Sequence, residues 1–300
     1  MKVFYGFAKV KKINESVITL GVFDGVHLGH QKIIKATVEK ARQIKGKSVV
    51  ITFWPHPQKQ SLLLPLEQRL QLIAKLGVDF CIVVKFTPSF ARIKAVDFVK
   101  DFFVKRLSVK YIYIGKDFKF GAKKEGSLAL LKKLAAVYRF KVKGIDVLKY
   151  RGVPISSTLL RALIKEGKIE RASCLLGRYV SISGKVVRGI SFGKTLGFPT
   201  ANIAPCYELI PADGVYAVKV IFGNKEFKGA CYIGRKPTLD LKKNKRYVEV
   251  HILNFRKNIY HKNLELRFIK KIRSEQKFPS LSALRLQIQK DIAEIKKFFS

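Results

Sequence analysis

The chain has 300 residues, 48% of them hydrophobic and 11% aromatic, which excludes a disordered or fibrous polypeptide and suits two packed domains. Sixty Lys and Arg stand against 21 Asp and Glu, a net charge of +39, so anionic partners are expected, and charge alone does not choose among nucleotides, nucleic acid and a lipid surface. No stretch approaches the roughly 20 apolar residues of a membrane span, and the lysine-broken start MKVFYGFAKVKKINES has no signal-peptide core, so a soluble, cytoplasmic protein is expected.

In chain order, VITLGVF (17–23), SVVITFW (48–54), DFCIVVKF (79–86) and KYIYIG (110–115) are apolar on both faces, the pattern of strands in a covered parallel sheet. Between them Ile33, Ile34, Val38, Ala41 and Ile44 recur at helical spacing, then Leu66, Leu70, Ile73 and Leu76, then Val99, Phe102, Phe103 and Leu107. The alternation predicts a doubly wound, Rossmann-like α/β domain over 1–178, whose ligands sit at the carboxyl ends of the strands. Two helical pieces, TLLRALIKEG and IERASCLLG, close it. The strands YVSISGKVV, GVYAVKVIF, KRYVEVHIL and LELRFIKKI then predict a small antiparallel β-barrel or sandwich over 179–300. LSALRLQIQKDIAEIKKFF at 281–299 predicts an amphipathic C-terminal helix with Leu284, Ile288, Ile292 and Ile295 on one stripe. Cys81, Cys174, Cys206 and Cys231 form no C-x-x-C pair, so neither zinc nor a disulfide framework is signalled.

Two stretches carry chemistry. GVFDGVHLGH (21–30) turns at Asp24-Gly25 after a buried strand and enters a helix near Leu28 or Gly29, so the helix's first N–H groups make an anion site at the sheet edge. His27 and His30 there can donate to phosphate oxygens, and Gly29 between them lets a phosphate or ribose approach the backbone. Fixed donors of this kind suit nucleotidyl transfer, where charge grows on the α-phosphate and the departing pyrophosphate. The H-x-G-H element also occurs in class I aminoacyl-tRNA synthetases, but their second, methionine-containing signature is absent: the only Met is Met1. ISSTLLR (155–161) instead offers Ser156, Ser157, Thr158 and Arg161 as a second phosphate clamp. The other stretch, GKVVRGISFGKTLGFPTAN (184–202), has Gly184, Gly189, Gly193 and Gly197 for tight turns and Lys194 for a phosphate. Pro199 then fixes the chain direction before Thr200 and Asn202, a hydroxyl and a carboxamide suited to Mg²⁺ or nucleotide.

GVFDGVHLGH, WPHP (54–57), GKDFKFG (115–121) and ISSTLLR, in this order, resemble the FAD synthetase module of bacterial bifunctional riboflavin kinase/FAD synthetases. The resemblance implies that Gly21, Phe23, Asp24, Gly25, His27, Gly29 and His30 bind ATP, and that Ser156, Ser157, Thr158 and Arg161 clamp its triphosphate. It also places Pro55, His56, Pro57, Asp117 and Phe118 near the adenine and flavin. Phe118 and Phe120 are aromatic rings that either stack on the ligand or fill space under a loop. The family commonly has Gly-Asp or Gly-Asn where this chain has Gly126-Ser127, and the segment after Pro57 is short.

The second stretch resembles the riboflavin kinase signature G-x-x-x-G-F-P-T-A-N, and the likeness continues through PADGVYAV (211–218), YIGRKPT (232–238) and YVEVHILNF (247–255). It implies that Gly189, Gly193, Lys194, Gly197, Pro199, Thr200 and Asn202 hold ATP, with Thr200 and Asn202 on the metal. Lys194 stands where arginine is frequent. Phosphorylating a primary alcohol needs a group that orients the hydroxyl and accepts its proton; by the resemblance this catalytic base is Glu249, whose face His251 shares by strand parity. The expected substrates are riboflavin, FMN and ATP with Mg²⁺. No RNA-recognition motif accompanies the basic charge, so no specific nucleic-acid partner and no membrane are expected, and the protein is expected to be a monomer or weak oligomer.

Overall fold

The computed structural model describes residues 1–10, 12–58, 61–189, 192–206, 209–235 and 246–299, and divides into two units, Met1–Ser157 and Thr158–Ser300. In the first unit the apolar runs become β2 (Ser16–Leu20), β3 (Lys47–Trp54), β4 (Phe80–Lys85) and β5 (Val109–Gly115), flanked by β1 (Lys2–Tyr5) and β6 (Lys141–Ile145) at the sheet edges. The order is β1-β4-β3-β2-β5-β6, with every neighbouring pair parallel. Successive side chains point to opposite faces. Val50, Cys81 and Val83 meet Ile34 and Val38 of α1 (Leu28–Gln43) and Leu70 and Ile73 of α2 (Leu66–Lys75). Ile18, Ile51, Ile82 and Ile112 pack the other way, onto Phe98, Phe103 and Leu131. That second layer consists of a single turn α3 (Pro88–Ala91), α4 (Ala95–Phe98) running into a wide π-helical segment (Val99–Arg106), and α5 (Leu128–Tyr138). The wide winding shows in Leu107 N–H, which donates to Phe102 O five residues back at 3.1 Å.

Helices on both faces make the doubly wound sheet that the sequence predicts. The chain runs from β2 outward to β3 and β4 and returns to β5 on the other side of β2. The carboxyl ends of β2 and β5 therefore flank the reversal of strand order, where open α/β sheets bind their ligands. β2 ends at Leu20, earlier than the apolar run to Phe23 suggests, because Phe23 adopts φ +52° and takes the backbone out of the sheet. A short ribbon, β7 (Lys149–Tyr150) and β8 (Val153–Pro154), leads to Ile155, whose N–H donates to Leu148 O at 2.9 Å.

The second unit takes in α6 (Ser157–Lys165) from Thr158 onward and α7 (Ile169–Leu176). Its six longer strands are β9 (Val180–Val187), β10 (Ala201–Pro205), β11 (Gly214–Phe222), β12 (Lys225–Arg235), β13 (Arg246–Ile252) and β14 (Asn263–Arg273). They close into a barrel in the order β10-β13-β12-β11-β14-β9, each pair antiparallel, which decides between barrel and sandwich. A single turn, α8 (Phe192–Thr195), interrupts the β9–β10 connection. Val218, Val220, Val250, Leu266 and Phe268 are fully buried, while their neighbours Val215, Ala217 and Ile269 pack against Ile288, Ile292 and Ile295 of α9 (Leu281–Lys297).

On that apolar stripe α9 also buries Asp291. Arg273 Nε lies 3.0 Å from each of its carboxylate oxygens, Arg273 Nη2 is 2.9 Å from Oδ2, and Gln287 Nε2 donates to Oδ1 at 2.8 Å. Removing one member of such a pair leaves a largely buried cation without its counter-charge. Asp291→Ala is expected to destabilise the second unit by about 3 kcal/mol, read as a lower guanidinium unfolding midpoint. Asp291→Asn, which keeps an acceptor for Gln287, should cost less.

Candidate active sites

The turn after β2 adopts angles that few residues tolerate. Phe23, Gly25 and Val26 have φ of +52°, +82° and +39°, and Val26 N–H closes the turn on Phe23 O at 3.1 Å. Glycine takes such angles without strain; a β-branched residue does not. The turn delivers His27 as the N-cap of α1, with Nδ1 accepting His30 N–H at 3.3 Å. Because Nδ1 is an acceptor, the neutral His27 ring carries its proton on Nε2. The two imidazoles stack with centroids 3.6 Å apart, and Phe23 meets His30 edge-on at 5.2 Å. Gly29 clears space for this arrangement, since a Cβ there would lie 3.2 Å from the His27 ring. The first turn of α1 contains no acidic residue to compete with an anion for its N–H groups.

Asp24, expected at ATP, is turned into the protein. It is 1% exposed, accepts Leu63 N–H at 3.1 and 3.2 Å and Leu64 N–H at 3.3 Å, and lies 3.6 Å from Nη2 of the fully buried Arg69. Arg69 Nη1 donates to Val22 O at 2.9 Å and to Phe53 O at 3.4 Å, so this buried pair braces the ends of β2 and β3. Sequence reasoning missed Arg69, which sits among polar positions of an amphipathic helix and has no motif to mark it. The Asp24 carbonyl accepts Ser157 Oγ–H at 2.9 Å, which brings the end of the first unit, Ile155 to Ser157, to the histidine turn. Ser156 precedes this contact; Thr158 and the buried Arg161 follow it on α6, in the second unit.

Beyond β3, the Trp54–Pro55 peptide is cis, His56 Nδ1 accepts Gln58 N–H at 3.1 Å, and Pro57 follows. Beyond β5, Asp117 is exposed and Phe118 is half-buried, stacked on Phe120 with centroids 6.3 Å apart. Phe120 itself belongs to the core beside Phe98 and fills space. Gly126 pairs with Phe120 through both backbone groups, and a Cβ on it would lie 2.7 Å from the Phe120 ring. Ser127 is the N-cap of α5 and accepts Leu130 N–H at 3.3 Å. Ser, Asp and Asn are all strong N-caps, so Gly-Ser does here the structural task that Gly-Asp or Gly-Asn can do.

In the barrel, Asn202 of β10 stands directly opposite Glu249 of β13, and Tyr232 of β12 is opposite Glu249 on the other side. Thr200 Oγ1 donates to Glu249 Oε2 at 3.3 Å, and Glu249 is 9% exposed. Gly189 makes room for Asn202: a Cβ there would lie 2.0 Å from the carboxamide nitrogen. The loop before Thr200 doubles back through α8, with Gly197 N–H on Lys194 O at 3.1 Å and Phe198 N–H on Gly193 O at 2.8 Å. Lys194 is exposed on this loop. His251 Nδ1 lies 2.8 Å from Pro199 O, and its ring meets Phe198 edge-on at 5.8 Å. Burial, and then the Glu275 carboxylate that accepts its hydroxyl at 2.5 Å, push the Tyr232 phenol well above its usual range, which keeps it a donor. Burial, and then Glu249, hold the Cys231 thiol neutral.

Beside Thr200 a cleft of about 290 Å³ opens between Val186, Val250, Ile252 and Ile259, with Arg256 and Lys257 also in its lining. The 256–260 part of this wall gave no sequence signal. Of the other matched stretches, Asp213 of PADGVYAV accepts Arg246 Nε–H at 2.6 Å. Ile190 and Ser191 of the glycine-rich loop, and Lys236 to Thr238 of YIGRKPT, lie outside the described residues.

Residues 9–159 match the family model of FAD synthetase, and residues 176–299 that of riboflavin kinase. The whole chain is 40% identical to a bifunctional riboflavin kinase/FMN adenylyltransferase of Buchnera aphidicola subsp. Schizaphis graminum, covering 99% of that protein. Over 94% of its length it is 37% identical to the Escherichia coli K12 protein of the same description, covering 92% of it. A crystal structure described as a macrolide-efflux protein from Streptococcus pneumoniae shares the fold with a TM-score of 0.89 at 27% identity, over 99% of both chains. Among the described residues no helix is long and apolar enough to cross a membrane.

Proposed function

The chain belongs to the bifunctional riboflavin kinase/FMN adenylyltransferase family, and on that premise we propose how its residues divide the two reactions. The barrel phosphorylates riboflavin with ATP to FMN at Thr200, Asn202 and Glu249. The α/β unit then adenylylates FMN with a second ATP at the His27–His30 turn, giving FAD and pyrophosphate. The observation that carries the reading is the pairing of Asn202 and Glu249 on facing strands, with Thr200, just before β10, hydrogen-bonded to Glu249 and Gly189 opening the space beside Asn202.

In the kinase step the flavin hydroxyl, in line with the γ-phosphate, attacks the γ-phosphorus as Glu249 takes its proton, and ADP leaves. A hydroxyl, a carboxamide oxygen and a nearby carboxylate are hard oxygen donors, so these residues fit Mg²⁺ brought on the ATP phosphates. Thr200 and Asn202 would hold it, and it would neutralise charge on the transferring phosphoryl group. Lys194 supplies a further positive charge, as a point donor without the arginine fork. The apolar walls of the adjoining cleft suit a nucleobase, with Arg256 and Lys257 adding positive charge.

In the adenylylation step a phosphate oxygen of FMN attacks the α-phosphorus, and pyrophosphate leaves; no enzyme nucleophile is needed. His27 Nε2–H, His30 and the first N–H groups of α1 stabilise the growing charge. Pro55, His56, Pro57, Asp117 and Phe118, at the ends of the strands flanking β2, form the flavin side. The free thiols of Cys81, Cys174, Cys206 and Cys231 favour a reducing cytoplasm, where the enzyme acts as a monomer or weak oligomer on small molecules.

The test is a chromatographic time course of the full chain with riboflavin, ATP and Mg²⁺. FMN should appear first and then give way to FAD. FMN that accumulates without FAD would remove the adenylyltransferase assignment, and no turnover would remove both.

A further inference from the structure

We propose that His251 is a positioning residue of the kinase site: by donating from Nδ1 to the Pro199 carbonyl it fixes Thr200 against Glu249. The inference rests on the kinase reading above. β10 begins at Ala201, so Pro199 and Thr200 precede the barrel ladder and reach it from a loop that has just doubled back. The Pro199–Thr200 peptide is planar, so holding its oxygen sets the position of the Thr200 nitrogen and Cα. His251 Nδ1 holds that oxygen at 2.8 Å, and Thr200 Oγ1 then reaches Glu249 Oε2 at 3.3 Å.

Glu249 and His251 are two residues apart on β13 and share one face, so a single rigid strand carries both the base and the clamp on the residue that touches the base. The circuit Glu249–Val250–His251–Pro199–Thr200 closes on itself through two hydrogen bonds. A carbonyl can only accept, so Nδ1 must carry a proton, and the ring presents that proton in either protonation state. Phe198 braces the same ring edge-on while packing against the apolar cluster that contains Leu253 and Ile292, so the clamp is backed by the apolar core under α9.

The amide of asparagine places its NH₂ close to the position of Nδ1, whereas glutamine carries it out towards Nε2. The full chain is therefore compared as wild type, His251→Ala, His251→Asn and His251→Gln, with initial rates for riboflavin phosphorylation and for adenylylation of supplied FMN. Ala and Gln should lower kcat of the kinase by about tenfold, as misplacement of a catalytic contact does, with little change in KM for riboflavin. Asn should restore kcat to within about twofold of wild type, and adenylylation should stay level throughout. Equal activity of Asn and Gln, wild-type kcat in Ala, or a raised riboflavin KM shared by all three would overturn the proposal. A wild-type chain that makes no FMN would instead remove the kinase reading on which it stands.

Discussion

Glu249→Gln is expected to cut FMN formation by about a thousandfold, the range for loss of a positioned general base, while the same protein still converts supplied FMN to FAD. The substitution is chosen for what it keeps. Glutamine retains a carbonyl oxygen that can accept the Thr200 hydroxyl, now 3.3 Å from Oε2, and it removes only the negative charge and the basicity. Glu249 is nearly buried, opposite Asn202 and Tyr232, so an amide of the same shape fits without a new cavity. If Glu249 served only to anchor Thr200, Gln would be close to wild type, and that result would sink the base assignment. A loss of about three orders of magnitude corresponds to about 4 kcal/mol of transition-state stabilisation, far more than one neutral hydrogen bond supplies. Adenylylation of FMN belongs to the other unit and serves as the internal control for folding and for the ATP supply.

The architecture was legible because burial leaves a trace on both kinds of element. β2 to β5 are apolar on both faces, as only a doubly covered sheet requires, and α9 shows its stripe. The elements that sequence reading missed carry weaker traces for identifiable reasons. β6, KVKGI, is an edge strand with exposed lysines that guard an open row of backbone groups. β12, KEFKGACYIGR, holds Gly229 and Gly234 and begins with charges, yet it runs for eleven residues and lies paired on both sides from Gly229 to Ile233. Gly234 is needed because a Cβ there would lie 2.1 Å from the Tyr232 hydroxyl, a constraint invisible without the fold. The sites divide in the same way. Motifs marked Thr200, Asn202 and Glu249, but only the register of β10 on β13 puts the last two opposite each other. The motif put Asp24 among the ATP residues and did not announce its ion pair, because the partner Arg69 is distant in sequence and no local pattern links them. Parity placed His251 beside Glu249, while its acceptor, a main-chain carbonyl, has no side chain to announce it.

His30→Ala should lower conversion of FMN to FAD by about a hundredfold, as removal of one fixed donor to a developing oxyanion does, and FMN should then accumulate from riboflavin. The backbone contribution survives the change, because the His30 N–H that His27 caps belongs to the main chain. What disappears is a ring stacked on His27 and edge-on to Phe23. Such ring contacts contribute about 1 kcal/mol each to stability, so a small fall in Tm accompanies the variant without accounting for the rate. His30→Phe separates the two effects: it restores an aromatic face to His27 and recovers stability, but it cannot donate to a phosphate. Under the donor role, Phe is as slow as Ala and kcat falls more than the KM for ATP rises, since the extra charge on pyrophosphate exists only as the α-phosphorus bond breaks. If Phe instead recovers the wild-type rate, His30 is packing for His27, and the electrostatic work falls to His27 Nε2–H and the α1 N-terminus alone.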